Sequence, residues 1–255
     1  VSTPVPAIIA TDLKSLEKMG EKKLGIPCIA IDTTGTNYYD KGEEKAWYRL
    51  FERFAKESFE KKDGKIGIIG ATPMETGYKN SSSLRNQLES IGLHNFVIYS
   101  MGSTIDDIQR ASECEKNIVI SLAGLKAAKY LKDKFNIPYE IAFPFIPEDI
   151  IKKASDYKDK KILIIHSQFA GNELRKQIGN GKNITCATWF MQDNDYANDG
   201  DVKLNGEDDL YELIKNEEFD LIIADSDALS LIKDAGFKGD FIDYPEFAVS
   251  GRIFD

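Results

Sequence analysis

The sequence is poor in the two side chains that most often bind metals and carry redox chemistry. Its 255 residues include three cysteines and two histidines. Cys28, Cys114 and Cys186 are far apart and form no C-x-x-C pair, which argues against a zinc ribbon and a disulfide framework. Three thiols also fall short of the four that an iron–sulfur cluster requires. This cysteine content is typical of a reducing compartment, so we expect a cytoplasmic protein.

Long apolar runs and an excess of positive charge are missing too. No run approaches the ~18 apolar residues that a membrane span needs, and the first residues do not resemble a signal peptide, so we expect no membrane partner. The 33 Lys and Arg residues are outnumbered by 42 Asp and Glu residues, which leaves a formal net charge of −9. Because binding to a nucleic-acid backbone depends on Lys and Arg neutralising phosphates, we expect no nucleic-acid partner.

What the sequence does contain is a repeated order of short apolar runs and amphipathic stretches. Three segments share it, opening with the runs 7–10, 117–120 and 220–224 and closing with the runs 28–31, 139–143 and 241–244. Short apolar runs bounded by turns predict buried strands, and apolar residues spaced three and four apart predict helices. Each segment is therefore predicted to form a βαβ unit with two parallel strands.

Two of these units are preceded by another, with runs at 65–69 and 96–99 and at 161–165 and 184–188. The pattern predicts an α/β fold of tandem Rossmann-like doubly wound modules with parallel sheets, in three αβα layers. The first segment lacks an opening unit, so we expect residues 1–61 to hold the back half of an N-terminal module plus a crossing helix. Complete modules are predicted for residues 62–150 and 151–255.

Several short motifs follow one another in an order known from one protein family. They are PAIIATD at 6–12, GIP at 25–27, IDTTG at 31–35, IGIIG at 66–70, NIVI at 117–120, NIPY at 136–139 and FAVSGR at 247–252. In sequence and order these motifs resemble the nitrogenase component 1 family. That family includes the molybdenum–iron protein subunits, cofactor-assembly scaffolds and dark protochlorophyllide reductase subunits.

The resemblance implies three Rossmann-like modules, with metal clusters held between modules and between subunits. It places the cysteines of the bridging cluster upstream of Val1. The cysteine that ligates the catalytic cofactor in nitrogenase α-type subunits corresponds to Ser121, which is a poor metal ligand. The second ligand of that cofactor is a histidine near the last strand, and residues 241–247 contain none. We therefore expect no metal ligand and no cofactor in this chain, and an iron–sulfur or metal cluster only in a longer assembly.

Small and polar residues follow the predicted strands at the edge where open parallel sheets bind ligands. The candidates for lining a common ligand cleft are Thr33, Gly35, Gly70, Ser121, His166 and Ser167. No residue is assigned a catalytic role.

Plainer interpretations compete with each of these sites. A lone imidazole such as His166 is more often a hydrogen-bonded structural residue than a ligand. The loop 70–83 departs from the P-loop spacing, which favours Ser82 or Ser83 as an ordinary helix N-cap over an anion site. The acidic stretch 192–209 lacks the calcium-loop pattern and is predicted to be a solvated loop.

Two functions from different classes remain open. The chain is expected to be an oxidoreductase subunit, or a fragment of one, which accepts electrons from an ATP-dependent iron–sulfur reductase and reduces an unknown substrate. Such a subunit would work with a homologous or identical partner subunit, would not be a true nitrogenase, and would be inactive by itself. The alternative is a non-redox binding module or cofactor-assembly scaffold that holds a metal complex or small ligand between modules. Rossmann-like folds host both classes.

Overall fold

Two parallel β-sheets with helices on both faces form the framework of this computed structural model, which describes residues 5, 9–33, 35–179 and 181–252. The strands of the first sheet are β1 (Ile66–Ile69), β2 (Phe96–Ile98), β3 (Lys116–Val119) and β4 (Tyr139–Ile141). They lie in the order β2-β1-β3-β4, and every neighbouring pair is parallel. The chain therefore reverses its direction of winding between β1 and β3.

The second sheet repeats this arrangement with one additional strand. Its strands are β5 (Ile162–Ile165), β6 (Ile184–Thr188), β7 (Val202–Lys203), β8 (Leu221–Ala224) and β9 (Asp240–Asp243). The order is β7-β6-β5-β8-β9, again parallel throughout, so the reversal falls between β5 and β8. Four strands are predicted from the sequence. The two-residue strand β7 is missed because it is too short to show a period.

The helices connect the strands and cover the sheets. They are α1 (Leu13–Leu24), α2 (Tyr39–Phe54), α3 (Pro73–Thr76), α4 (Ser81–Ser90), α5 (Ile105–Gln109), α6 (Leu122–Phe135), α7 (Glu148–Ser155), α8 (Gln168–Ile178), α9 (Glu207–Asn216), α10 (Leu229–Asp234) and α11 (Phe247–Ser250). Short 3-10 turns occupy Ala111–Glu113, Asn194–Tyr196 and Ser226–Ala228. None of the helices in the described ranges is long and apolar enough to cross a membrane.

Alternate residues of each central strand pack against opposite helical layers. In β1, Ile69 packs with α2 and α6, whereas its neighbour Ile68 packs with α4. In β5, Ile164 packs with α7 and α8, whereas Leu163 packs with α9 and α10. Burial on both faces explains why these strands are continuous apolar runs, and it confirms the predicted three-layer αβα class. The boundaries of the modules stay a prediction.

The two strands predicted for the first segment are wrong where the structure describes them. Residues 7 and 8 lie outside the described residues, and Ile9 and Ala10 form a turn in which Ala10 has a φ of 51°. Residues 28–31 have no regular secondary structure and join no sheet. A strand needs a hydrogen-bonded neighbouring strand. Here the backbone amides donate to side chains of α1 instead. The amide of Cys28 donates to Glu21 at 3.2 Å, and the amide of Ala30 donates to Glu17 at 2.6 Å.

The crossing helix α2 packs on α6 and contributes to the core of the first sheet. Trp47 and Phe51 are buried, and the ring of Phe51 meets Tyr99 edge-on at 5.0 Å. The helix ends at Phe54.

Two local predictions need correction. The N-cap of α4 is Asn80, whose side chain accepts a hydrogen bond from the Ser83 amide at 2.9 Å, in place of Ser82 or Ser83. The acidic stretch 192–209 is only partly solvated, because Asp201 is buried and pairs with Arg175 at 2.6 Å. Asp201 also accepts from the Cys186 amide at 2.9 Å, which ties this stretch to β6.

Candidate functional site

Four of the predicted site residues lie at the carboxyl ends of central strands. Gly70 follows β1 and Ser121 follows β3, on the two sides of the first reversal of winding. His166 and Ser167 follow β5, and Asp225, on the other side of the second reversal, follows β8. Open α/β sheets form their ligand crevices at such switch points.

Gly70 and Ser121 approach each other very closely. Gly70 has a φ of 84°, and a Cβ placed on it would lie 2.5 Å from Ser121 Oγ and 3.0 Å from its backbone nitrogen. Only glycine can adopt this positive φ and also approach Ser121 this closely. Ser121 precedes α6 without capping it by its side chain, and its buried Oγ has no hydrogen-bond partner among the described residues. The first switch point therefore holds a hydroxyl group that is free to bind.

His166 is held on both sides of its ring. The Ser167 amide donates to Nδ1 at 2.9 Å, so the proton of the neutral ring is on Nε2, which lies 3.1 Å from the Pro245 carbonyl oxygen. Burial lowers the pKa of His166 to about 4. The ring also stacks on Tyr244 at 4.2 Å. In this geometry the imidazole joins the end of β5 to the segment after β9 as a neutral group.

Thr33 and Gly35 lie in a different environment, beside the start of α2. They line a cavity of about 290 Å³ together with Tyr39 and Lys45. Lys45 donates to the Asp32 carbonyl oxygen at 2.8 Å and so holds the loop against the helix. None of the contacts given above for Gly70, Ser121 and His166 is made by Thr33 or Gly35. A common cleft for all six residues stays a prediction.

The structure reveals a group of acidic residues that the sequence reasoning missed. This carboxyl cluster consists of Asp40 and Glu43 from α2, Glu75 from α3 and Glu246, the residue before α11. Asp40, Glu75 and Glu246 are each at most 5% exposed. The charges of Glu43 and Asp40 raise the pKa of Glu75, and the charges of Glu75 and Asp40 raise the pKa of Glu246. The four side chains therefore lie close together at one junction.

Burial dominates the electrostatics of the carboxyl cluster. It raises the pKa of Glu75 to about 8, with repulsion from Glu43 and Asp40 adding to the effect and a hydrogen bond from Tyr39 opposing it. It raises the pKa of Glu246 to about 8, helped by Glu75 and Asp225. Burial also raises the pKa of Glu43 to about 7, although the nearby Thr72 hydroxyl acts to lower this pKa. Burial therefore moves the ionisation of these three glutamates from acidic pH to near-neutral pH.

Compensating contacts for these glutamates are few. In the described part of the chain, no ion pair includes Glu43, Glu75 or Glu246, and the oxygens Glu43 Oε2 and Glu246 Oε1 have no hydrogen-bond partner. Arg252, six residues after Glu246, pairs instead with Asp225 at 3.0 Å and with Asp243 at 2.5 Å. Carboxyl groups that are buried without a cation are favoured in the neutral form.

The sequence carried little signal for this cluster. Asp40 and Glu43 have the spacing of an ordinary solvated helix face, and α3 and α11 are each four residues long. The burial comes from packing of α11 on α3, where the ring of Phe247 covers Gly77 so closely that a Cβ would have no room. Such a contact between distant segments cannot be read from local periodicity.

The described residues do not fit a metal cluster of the kind that the family resemblance implies. No group of three or more His, Cys, Asp or Glu side chains in the described ranges has an arrangement able to hold a metal ion. Cys114 is buried, its Sγ lies 3.3 Å from the Tyr99 hydroxyl, and burial raises its pKa. Burial raises the pKa of Cys186 to about 12. Both side chains are enclosed by the cores, and this burial disfavours the thiolate form that binds metals.

Two doubly wound parallel sheets with polar groups at their switch points define a Rossmann-like α/β protein. The family model described as "Nitrogenase component 1 type Oxidoreductase" matches residues 1–150, and the chain belongs to this family.

Solved structures with the same fold include two described as "Nitrogenase Cp1 at pH 6.5" and "Nitrogenase Cp1 at pH 5". The first has a TM-score of 0.66 at 14% identity, over 95% of this chain and 67% of that chain. The second has a TM-score of 0.59 at 15% identity, over 94% of this chain and 65% of that chain. The present chain thus spans about two thirds of their length. Likeness at this identity concerns the fold.

Proposed function

We propose that this chain is part of a nitrogenase component 1-like oxidoreductase, which accepts electrons from an ATP-dependent iron–sulfur reductase and reduces an unknown substrate. The observation that carries the proposal is the family match over residues 1–150. A homologous or identical partner subunit completes the assembly in this proposal.

The part assigned to the described residues is ligand binding at the switch point of the first sheet. Ser121 offers a buried hydroxyl without a hydrogen-bond partner among the described residues, and the backbone of Gly70 approaches this hydroxyl closely. Such a group stabilises a polar atom of a bound ligand because it exchanges no existing hydrogen bond for the new one.

In this proposal, cluster ligation falls to the partner subunit or to other parts of the assembly. The thiols of Cys114 and Cys186 are enclosed by the cores, and the family resemblance implies that Ser121 corresponds to the nitrogenase cofactor cysteine. For that reason the proposed activity is not nitrogen fixation.

A second candidate function is that of a non-redox binding module or assembly scaffold, which binds its ligand at the same switch point of the first sheet. The enclosed thiols of Cys114 and Cys186 favour this second candidate, because burial protects them from oxidation and from metal binding.

Anaerobic expression of the full-length protein with iron and sulfide separates the two candidates. The oxidoreductase is expected to show charge-transfer absorption that is bleached by a homologous reductase with ATP and remains in the Ser121→Ala variant. A colourless protein that still binds a ligand, with affinity reduced in Ser121→Ala, overturns the redox proposal and supports the scaffold.

A further inference from the structure

The carboxyl cluster lies where α2, the first sheet and the second sheet meet. Tyr39 of α2 donates to Glu75 Oε1 at 2.8 Å, which attaches the helix to the loop after β1. The next residue, Asp40, accepts a hydrogen bond from the amide of Met191, which follows β6 in the second sheet. The ring of Phe190 meets Tyr39 edge-on at 5.0 Å. One short stretch of α2 therefore contacts both modules.

We propose that the carboxyl cluster is a proton-operated latch, which joins α2, α3 and α11 while its glutamates are protonated and releases this junction when they ionise. The geometry supports such a response, since four carboxyl groups from three segments share one buried site and, among the described residues, no cation pairs with Glu43, Glu75 or Glu246. The central strands β1, β5 and β8 are buried apolar runs, so the junction responds before the sheets do.

Charged and titratable groups from every neighbouring element surround the carboxyl cluster. They are Tyr39, Asp40 and Glu43 of α2, Glu75 of α3, Tyr244, Glu246 and Arg252 around α11, Asp225 after β8, His166 after β5 and Lys203 of β7. Burial raises the pKa of Tyr39 and of Tyr244, so both stay phenols, and His166 with a pKa of about 4 stays neutral. Between pH 6 and 9 the three glutamates dominate the change in charge.

The direction of the pH effect follows from the pKa values. The ordinary pKa of a glutamate is 4.5, and the folded protein raises it to about 7 for Glu43 and about 8 for Glu75 and Glu246. At pH values between 4.5 and these raised pKa values, the folded state holds more protons than the unfolded state. The stabilisation is therefore complete below pH 4.5 and is lost as the pH rises through about 7 to 8.

A tryptophan close to the junction provides a local reporter. The chain has two tryptophans, and Trp189 lines a cavity of about 450 Å³ with Tyr38, Phe190 and Val249. In the Trp47→Phe variant, fluorescence reports on Trp189 by itself. We expect acrylamide quenching to rise about twofold between pH 6 and pH 9, with a midpoint between 7 and 8 and constant far-ultraviolet circular dichroism.

Neutral substitutions test whether the glutamates cause this transition. In the same background, Glu75→Gln with Glu246→Gln mimics the protonated pair, and quenching is expected to stay at its pH 6 value up to pH 9. The matched control is Glu113→Gln, which removes a carboxyl of similar burial that is paired with Lys62 and Lys65. This control is expected to retain the transition.

Two outcomes overturn the proposal. One is a flat quenching profile from pH 6 to pH 9 in the Trp47→Phe protein. The other is an unchanged midpoint in the doubly substituted protein. If the double variant does not fold, Glu75→Gln by itself is expected to reduce the amplitude of the transition by about half, and an unaltered amplitude counts against the latch.

Discussion

Glu113 and Glu75 are buried to a similar extent, yet their pKa values move in opposite directions. Burial favours the neutral form of both. Three cations reach Glu113, and hydrogen bonds from Lys62, Lys65 and Arg110 lower its pKa to about 2. Among the described residues no cation pairs with Glu75, and burial raises its pKa to about 8. The balance between burial and neighbouring cations therefore decides the charge of a carboxyl group.

Replacement of Glu113 by glutamine is expected to lower the free energy of unfolding at pH 7 by about 1–3 kcal/mol, because it removes charge-assisted hydrogen bonds. A pKa lowered from 4.5 to about 2 contributes stability above pH 4.5 that is lost as the pH falls toward 2. Urea unfolding at pH 7 and pH 3 measures both values. An equal loss at the two pH values would contradict this account.

Replacement of Gly70 by alanine is expected to cost about 2–4 kcal/mol, because it combines an unfavourable φ with a collision with Ser121. Gly92→Ala is the matched control, since Gly92 has a φ of 91° and open space around its Cβ position. Its expected cost is about 1 kcal/mol, from the backbone conformation alone. The difference between the two variants in chemical denaturation measures the close approach.

At the scale of secondary structure, α1 differs from the other long helices in having no buried residue. Its apolar side chains Leu16 and Met19 are 48% and 64% exposed. Polar contacts attach it to α2: Arg49 pairs with Glu17 at 2.5 Å, and Arg53 pairs with Glu21. In contrast, α6 buries seven residues against the first sheet. A helix held by surface ion pairs opens more readily than one held by apolar packing.

Amide hydrogen exchange is therefore expected to be at least about 100-fold faster in α1 than in α6 under native conditions. Raising the salt concentration to about 1 M should accelerate exchange in α1 further, because salt screens the pairs with Arg49 and Arg53. Mass spectrometry of peptides from both helices makes the comparison. Equal protection of the two helices would show that α1 has apolar support.

At the scale of the whole molecule, the two modules share part of their core. Phe169 and Ala170 belong to α8 of the second module, yet they pack into the two clusters that cover the first sheet. The carboxyl cluster and the contact of Phe247 with Gly77 add further links. We therefore expect the described modules to unfold together.

Calorimetry tests this coupling through one side chain. The unaltered protein is expected to unfold in a single transition, whereas Phe169→Ala, which loses about 3–4 kcal/mol of packing at the junction, should unfold in two. Phe219→Ala is the matched control, because Phe219 packs only within the second module. It should lower the transition temperature without splitting the transition.

Several elements could be predicted from local sequence for physical reasons. Apolar runs such as Ile162–Ile165 are buried on both faces, so their composition alone indicates a central parallel strand. Residues 28–31 are also an apolar run but form no strand, because a strand depends on a neighbour that composition cannot report. The positions of Gly70 and Ser121 after β1 and β3 follow from the same pattern. Their close contact depends on how far apart the strands lie.

The sequence by itself determined the α/β class, the repeated βαβ order and the shortage of metal-binding side chains, since these depend on composition and on periods of two to four residues. Only the tertiary structure decided which carboxyl groups are neutral and which are charged. Glu75 and Glu246 are 171 residues apart and meet through packing of two four-residue helices. Their protonation depends on the water and the cations that this packing excludes, which no local pattern encodes.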